Sequence, residues 1–179
     1  MRIIAGSRRG HKLIGFEGDK IRPTTDRVKE SVFNLIQDYV QDSRVLDLFG
    51  GSGALAFEAL SRGAEGAVIV DADKDSINVI SKNAMSLKFN DNVRIMHITY
   101  QDFFRINKEQ FDLIFLDPPY NKGYIEPVLE SIVKDNRLSE NGIILLESDD
   151  TDMHCEAEGL EILKQKKYGR SYITVYQRG

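Results

Sequence analysis

The sequence predicts an α/β fold with a doubly wound, mostly parallel sheet of seven strands. Short apolar runs alternate with longer segments in which apolar residues recur at helical spacing, and this alternation is typical of strand–helix–strand units. The run at residues 45–49 stops at a cluster of glycines, residues 50–53, and helix-forming residues follow. A buried strand, a tight loop and a helix in this order bring backbone N–H groups and a helix N-terminus up to a ligand.

The N-terminal segment predicts a hairpin followed by a helix. Residues 2–22 have the pattern of a β-hairpin with a basic, glycine-containing turn at residues 6–10. A helix is predicted from Pro23, with Thr24 or Thr25 as its N-cap and an apolar stripe that must pack against another element.

The remaining elements alternate regularly. Strands are predicted at residues 45–48, 67–70, 93–98, 111–116 and 143–146, with a terminal antiparallel pair at residues 160–164 and 172–176. Helices are predicted at residues 54–60, 77–87 and 125–133, with a short turn or helix at residues 102–104 and a loop or ragged helix at residues 148–158. We therefore expect an N-terminal extension, residues 1–40, on a main domain, residues 41–179.

The charge is unevenly distributed along the chain. The formal net charge is −4, but residues 1–30 carry a balance of +4 and residues 164–179 one of +5. The intervening residues carry −13. Basic ends around an acidic body indicate a polyanion bound by the ends; solubilising charge on exposed edges is the alternative.

The composition predicts a cytoplasmic protein without a metal. No apolar stretch approaches the roughly 18 residues needed to cross a bilayer, and the first residues lack the apolar core of a signal peptide. The single cysteine, Cys155, excludes an internal disulfide. Three scattered histidines, His11, His97 and His154, have no metal-ligand spacing.

Four acidic residues, Asp47, Asp71, Asp102 and Asp117, lie within or just after predicted strands, so they should line one crevice. The glycine loop fits the dinucleotide pattern G-x-G-x-x-G/A, and Asp71 lies about where a ribose-binding acid is expected. A nicotinamide dehydrogenase is therefore one interpretation. However, Asp47 would repel a pyrophosphate and suits a ligand with an ammonium group, such as S-adenosylmethionine.

In that second interpretation Asp71 accepts hydrogen bonds from the ribose hydroxyls and Asp102 from the adenine amino group. A helix N-cap is the alternative role for Asp102.

The tetrapeptide Asp117-Pro118-Pro119-Tyr120 follows the strand predicted at residues 111–116. Two prolines form a rigid loop without backbone donors, so its carbonyls can act as acceptors. A carboxylate and a carbonyl together suit an exocyclic –NH2 group, and Tyr120 offers an aromatic face for a planar base. A strand-terminating turn with a buried tyrosine is the structural alternative.

These motifs resemble the class I S-adenosylmethionine-dependent amino-methyltransferases: residues 45–53, Asp71, Asp102 and residues 117–120. Four further segments resemble the bacterial 16S ribosomal RNA guanine-N2 methyltransferases: residues 2–6, 22–28, 58–64 and 167–169. The resemblance covers nearly the whole chain. The tetrapeptide is shared with other amino-methylases and indicates only the chemistry, whereas the other four segments point to ribosomal RNA.

The resemblance implies a Rossmann-like methyltransferase sheet, S-adenosylmethionine as cofactor, and transfer of its methyl group to the N2 of a guanine in 16S ribosomal RNA or an assembling small subunit. A monomer is expected. The implied catalytic residues are Asp117, Pro118, Pro119 and Tyr120. The implied cofactor-binding residues are Asp47, Phe49, Gly50, Gly51, Gly53, Asp71, Ala72, Asp102 and Phe103. The implied RNA-binding residues are Arg8, Arg9, Lys12, Arg22, Arg27, Lys166, Lys167 and Arg170.

Three alternatives stay open at this point. One is an amino-methyltransferase that acts on DNA adenine or on a protein glutamine, although the chain offers no separate target-recognition domain for a sequence-specific DNA enzyme. A second is a non-catalytic nucleic-acid-binding protein on the same scaffold. The third is the dehydrogenase, which predicts NADH binding instead.

Overall fold

The computed structural model describes residues 1–16, 26–120, 122–149 and 157–179. Several predictions fall outside these residues: Arg22, the cap at Thr24 or Thr25, Cys155, the far end of the hairpin and most of the loop predicted at residues 148–158.

The described helices and strands follow the predicted alternation. The α-helices are α1 (Asp26–Leu35), α2 (Ala54–Ser61), α3 (Lys74–Leu87), α4 (Tyr100–Ile106) and α5 (Ile125–Lys134). The strands are β1 (Arg44–Asp47), β2 (Gly66–Asp71), β3 (Val93–His97), β4 (Phe111–Leu116), β5 (Leu138–Ser148), β6 (Leu160–Tyr168) and β7 (Ser171–Arg178). A short 3₁₀ helix, Gln37–Tyr39, precedes β1.

The strands form one seven-stranded sheet in the order β3-β2-β1-β4-β5-β7-β6. Strands β1 to β5 pair in parallel, while β7 is antiparallel to both of its neighbours. The predicted fold class is therefore confirmed, including the antiparallel C-terminal strand. The order reverses at β1, where β2 lies on one side and β4 on the other, and doubly wound sheets bind ligands at such a switch point.

Both faces of the sheet are buried, which explains the nearly continuous apolar runs of β1, β4 and β5. One core cluster contains residues of α1, α2 and α3 and the side chains of one sheet face. The other contains residues of α4 and α5 and the opposite face. The structure differs from prediction mainly in length: β5, β6 and β7 are longer than expected because they pair along most of their residues.

The antiparallel direction of β7 determines where the last turn lies. Ser148 at the carboxyl end of β5 pairs with Tyr172 near the start of β7, and Tyr168 at the end of β6 pairs with Ser171. The β6–β7 turn is therefore at the same edge of the sheet as the carboxyl ends of β1 to β5. Strand β6 itself forms one lateral edge of the sheet.

The N-terminal residues form a short antiparallel hairpin, with Arg2 bridged to Lys12. Ile3 and Leu13 are buried in the same core as α1 and α2. The turn approaches the end of α2 so closely that a Cβ on Gly6 would lie 1.8 Å from the carbonyl oxygen of Ser61. Gly6 also has a positive φ of 83°, so glycine is required there.

A buried ion pair between α1 and α2 anchors this hairpin. The Glu58 carboxylate accepts hydrogen bonds from the N–H groups of Ile4 and Ala5, at 2.9 and 3.0 Å. Lys29 Nζ lies 3.4 Å from Glu58 Oε2, and both side chains are 0% exposed. Arg62 Nε lies 2.8 Å from Glu58 Oε1. Residues from two of the segments that resemble the ribosomal RNA enzymes thus contact each other and hold the fold together.

Within the part of the chain that the structure describes, no helix is both long and apolar enough to traverse a lipid bilayer.

Candidate functional site

The glycine loop after β1 is held by backbone hydrogen bonds. The Gly50 N–H donates to the carbonyl of Val70 at 3.0 Å, and the Gly53 N–H donates to the carbonyl of Gly50 at 2.7 Å. Gly51 and Gly53 have positive φ values of 56° and 78°. A Cβ on Gly53 would lie 2.4 Å from the ring of Phe57, so the start of α2 can pack this closely only with glycine there.

Asp71, at the end of β2, bonds directly to this loop. Its Oδ2 accepts the Gly51 N–H at 2.9 Å, and its Oδ1 accepts the Asp73 N–H at 2.8 Å. A carboxylate oxygen has a second lone pair, so Asp71 can still accept hydrogen bonds from a ligand. Ala72 follows, and its carbonyl lies 3.1 Å from His97 Nε2.

Asn83 is a buried polar residue that the sequence analysis missed. Its side chain on α3 is 0% exposed. Its Nδ2 donates to the carbonyls of Ser52 and Ile14, each at 3.0 Å, and its Oδ1 accepts the Ile14 N–H at 2.8 Å. Asn83 therefore joins the glycine loop to the N-terminal extension. The sequence contains no local signal for such a bridge because its partners lie far away along the chain.

Asp47, the last residue of β1, is buried and 2% exposed. Burial and, to a smaller extent, the charge of Asp71 raise its pKa from 3.8 to about 7, against the opposing effect of a backbone hydrogen bond from Ala56. It forms no ion pair with any described residue. A buried carboxylate without a cation is costly, so this position favours a positively charged ligand group.

Asp117 follows β4, next to β1 in the sheet. Desolvation raises its pKa well above the usual range, and the charges of Glu147 and Asp47 add to the shift. Glu147, near the end of β5, is 8% exposed and is a second residue that the sequence analysis missed. Three carboxylates from three adjacent strands therefore lie close together at one edge of the sheet.

The loop that follows Asp117 is partly exposed. Pro118 is buried, Pro119 is exposed and Tyr120 is half-buried. The Tyr120 hydroxyl lies 3.4 Å from Glu147 Oε1 and 3.4 Å from the hydroxyl of Ser171 on β7. A cavity of about 160 Å³ lies beside this loop and is also lined by Lys122 and Tyr124.

Asp102 and Phe103 are the first and second of the predicted cofactor-binding residues on α4, and the structure places one on the surface of that helix and the other in the core. Thr99 is the N-cap of α4 and accepts the Asp102 N–H at 3.2 Å, so Asp102 is inside the helix and is not its cap. The Asp102 side chain is 50% exposed and lies 2.9 Å from the guanidinium of Arg105. Phe103 is 0% exposed and packs in the core. Its predicted contact with the cofactor stays a prediction.

An aromatic cluster formed by Phe49, Tyr100 and Tyr124 was also only partly predicted. The three ring centroids are each 5.9 Å from the other two, and all three residues are half-buried. They come from the loop after β1, the start of α4 and the residue before α5. Burial raises the pKa of the Tyr100 hydroxyl, and Tyr124 adds to the shift. Tyr100 and Tyr124 could not be assigned from sequence because neither belongs to a recognisable motif.

The structure separates the predicted RNA-binding residues into two groups. Lys166, Lys167 and Arg170 are exposed on or beside the β6–β7 turn, at the same edge of the sheet as Asp117. Lys167 Nζ lies 3.0 Å from the hydroxyl of Tyr172. Arg170 follows Gly169 in the turn itself.

The basic hairpin turn lies at the opposite edge. Its Arg8 N–H bonds to Ser61 at the end of α2, and α2 runs from the glycine loop back towards the start of β2. The Arg8 guanidinium donates to the carbonyl of Leu87 at 2.6 Å and lies over the ring of Phe89. Arg8 therefore has internal partners, whereas Arg9, Lys12 and Arg27 are exposed. Arg9 and Arg27 line a shared open cavity of about 430 Å³.

Among the described residues there is no group of three or more His, Cys, Asp or Glu side chains that could hold a metal ion. The site consists of three carboxylates and two loops. Asp71 bonds to the glycine loop, Asp47 is buried without a cation among the described residues, and Asp117 begins the proline loop. Such a site can hold a cation, hydroxyl groups and an amino group side by side.

The chain matches the family model described as "Conserved hypothetical protein 95" over residues 1–177. It is 36% identical to the Haemophilus influenzae protein named ribosomal RNA small subunit methyltransferase D, over 99% of this chain and 93% of that protein. It is 32% identical to the Escherichia coli protein of the same name, over 99% of this chain and 90% of that protein.

Solved structures agree with these sequence matches. The Escherichia coli protein yhhF superposes with a TM-score of 0.88 at 32% identity, over 99% of this chain and 97% of the other. A conserved hypothetical protein of Streptococcus pyogenes superposes with a TM-score of 0.80 at 37% identity, over 85% of this chain and 96% of the other.

Proposed function

This chain belongs to the family described as conserved hypothetical protein 95, and on that premise we propose that it transfers a methyl group from S-adenosylmethionine to the N2 amine of a guanine in small-subunit ribosomal RNA. The observation that carries the proposal is the juxtaposition of the Asp117–Tyr120 loop with the glycine loop: Asp47 pairs with Phe115, two residues before Asp117. The names of the two relatives above support ribosomal RNA as the substrate class.

The residues around the glycine loop fit S-adenosylmethionine. Asp47 is buried without a cation and would pair with the ammonium group of the methionine part. Asp71 would accept the ribose hydroxyls in addition to the Gly51 N–H that it already holds. Asp102, half-exposed at the start of α4, would accept the adenine amino group, and Phe49 would contact the adenine ring.

The Asp117–Tyr120 loop would hold the acceptor guanine. Bound S-adenosylmethionine supplies an electrophilic methyl group on its sulfonium. The Asp117 carboxylate and the Pro118 carbonyl accept the two N2 hydrogens and so orient the nitrogen lone pair towards that methyl. As the N–C bond forms and the S–C bond breaks, the proton leaving N2 goes to Asp117. Positioning of the two reactants supplies most of the acceleration, and Tyr120 stacks on a base turned out of its helix.

The exposed basic residues would bind the RNA phosphates. Lys166, Lys167 and Arg170 lie at the edge where the guanine enters, so their contacts would be close to the reacting base. Arg9, Lys12 and Arg27 on the extension form a second, more distant group. Arg8 belongs to the second group in this proposal: its Nε is bonded to the Leu87 carbonyl, and its remaining N–H groups would contact phosphate.

We expect the affinity for S-adenosylmethionine to rise with pH up to about 7. Without a ligand, the raised pKa of Asp47, about 7, means that Asp47 is largely protonated below that pH. An ammonium group favours the ionised carboxylate, so binding below pH 7 must release a proton. Affinity should therefore fall by at most about tenfold for each pH unit below 7 and level off above it. Calorimetry between about pH 5.5 and about pH 8.5 measures this dependence.

Two comparisons isolate Asp47 as the cause. The Asp47→Asn variant should bind more weakly at pH 8 and lose the dependence. 5′-Methylthioadenosine, which lacks the ammonium group, should bind the wild-type protein with little change over the same range. A pH-independent affinity of the wild-type protein for S-adenosylmethionine would contradict this role.

The function itself is tested by methyl transfer from tritiated S-adenosylmethionine to three acceptors: small-subunit ribosomal RNA, assembled small-subunit particles, and DNA. We expect label in one or both ribosomal substrates, and N2-methylguanosine in the digested RNA. Label only in DNA or only in a protein would identify a different amino-methyltransferase. Binding of RNA without any transfer would identify a non-catalytic protein.

A further inference from the structure

The buried Glu147 has no part in the mechanism above, and we propose that it is a positioning residue for the methyl transfer: it holds the Tyr120 hydroxyl, and its negative charge makes Asp117 a better proton acceptor. This inference rests on the proposed function and assigns a role to a residue on β5, outside the glycine loop and the Asp117–Tyr120 loop.

The sheet register places Glu147 beside Asp117. Strands β4 and β5 are parallel, and Leu116 pairs with Leu146. The next residues along the chain are Asp117, just after β4, and Glu147 on β5. Side chains of paired residues in parallel strands point to the same face. Glu147 is only 8% exposed, so its interaction with a neighbouring carboxylate is weakly screened by solvent.

The contact with Tyr120 connects Glu147 to the loop that would bind the base. The Tyr120 hydroxyl lies 3.4 Å from Glu147 Oε1 and 3.4 Å from Ser171 Oγ. Strands β5 and β7 therefore support the same ring. This support limits the orientations that Tyr120 can adopt, which matters if the ring is to stack on a base.

The two charged groups named as acting on Asp117, among the described residues, are both acidic. Glu147 on β5 and Asp47 on β1 both raise the pKa of Asp117, in addition to its desolvation. Asp71 in turn raises the pKa of Asp47. Asp117 forms no ion pair with a described residue. Since the charge of Glu147 raises the pKa of Asp117, removing that charge must lower the proton affinity of Asp117.

The role of Glu147 does not change which bonds form and break in the methyl transfer. The methyl group moves from sulfur to N2, and the proton from N2 goes to Asp117, as described above. Glu147 forms no bond with either substrate. It changes how readily Asp117 takes that proton and how firmly the loop holds the base.

The test compares the pH dependence of kcat for wild-type protein, Glu147→Gln and Tyr120→Phe, with ribosomal RNA as acceptor. In Glu147→Gln we expect kcat to fall by about tenfold at pH 8, because Asp117 becomes a weaker base. The acid limb of its profile should move to lower pH, because the pKa of Asp117 is no longer raised by Glu147. Tyr120→Phe removes the hydroxyl contact but keeps the charge, so its acid limb should stay with that of the wild type.

An acid limb of Glu147→Gln that coincides with that of the wild type would overturn the electrostatic part of the proposal. An unchanged kcat in Glu147→Gln at every pH would overturn it entirely.

A second measurement does not depend on methyl transfer. When folding raises the pKa of a carboxyl group, the free energy of unfolding of the protein decreases as the pH rises through that pKa. Removing the Glu147 charge should make this decrease smaller. The Tm of Glu147→Gln minus that of the wild type should therefore be larger at about pH 8 than at about pH 5. An equal destabilisation at both pH values would mean that Glu147 only packs. If the wild-type protein methylates nothing, the proposed function fails while this comparison still tests the carboxylate pair.

Discussion

Asp117→Asn is expected to lower kcat for methyl transfer by about a thousandfold, while the affinity for S-adenosylmethionine stays within a few-fold of that of the wild type. Asparagine has nearly the same shape as aspartate but cannot accept the proton that leaves N2. Its amide would also direct N–H groups at the amine of the guanine. Single-turnover methyl transfer measures the chemical step, and calorimetry measures cofactor affinity separately.

The control for this variant lies on the same strand. Asp112 is at the far end of β4, where its carboxylate pairs with Arg44 at 3.1 Å and the Arg44 side chain is 50% exposed. Asp112→Asn should leave kcat unchanged. If Asp117→Asn methylates at a normal rate, Asp117 is not the proton acceptor. If it loses cofactor binding to the same extent as activity, Asp117 acts through the cofactor.

Glu58→Ala is expected to lower the free energy of unfolding by about 3–5 kcal/mol. The substitution leaves Lys29 as a buried charge without its partner and removes the acceptor of the Ile4 and Ala5 N–H groups. Burial already lowers the pKa of Lys29, and Glu58 opposes that shift. Urea unfolding measures the change, and protease digestion at the hairpin reports whether the extension has detached.

Two variants show whether the buried charge is the cause. Asp26→Asn removes an exposed ion pair with Arg2 and should cost at most about 1 kcal/mol. The double variant Lys29→Met, Glu58→Gln removes both buried charges and should be more stable than Glu58→Ala, because no fully buried charge is left without its partner. Arg62 also loses its partner Glu58, but its side chain is 17% exposed. A loss of less than 1 kcal/mol in Glu58→Ala would contradict this account.

The sequence was sufficient to predict the order of the elements and the fold class. Parallel strands with both faces covered have nearly continuous apolar runs, and β1, β2 and β4 have such runs. Local periodicity does not report which strands pair, so the full length of β5 was not predicted. Eleven residues of β5 are in the strand, although residues 139–141 have no apolar pattern. Leu138 pairs with Phe111 of β4 at one end, and pairing with β7 continues to Ser148 at the other.

The site was predictable only where a motif lies in one short segment. The glycine loop and the Asp117–Tyr120 loop are each such a segment, and the structure shows that they follow the neighbouring strands β1 and β4. Glu147, Asn83 and Tyr124 could not be predicted in this way, because each depends on a partner that only the tertiary fold brings near. The same limit applies to charge. Arg8 and Arg9 are adjacent in sequence, yet among the described residues the Arg8 side chain has internal partners and the Arg9 side chain is exposed.

The position of β6 at the edge of the sheet gives its lysines a second effect. An unpaired edge strand can pair with the edge of another molecule, and lysines along it oppose such association. Lys164, Lys166 and Lys167 lie on this strand. Alanine substitutions intended to remove RNA contacts would therefore also remove protection against aggregation. Charge reversal to glutamate keeps the edge charged while repelling phosphate, so it separates loss of RNA binding from loss of solubility.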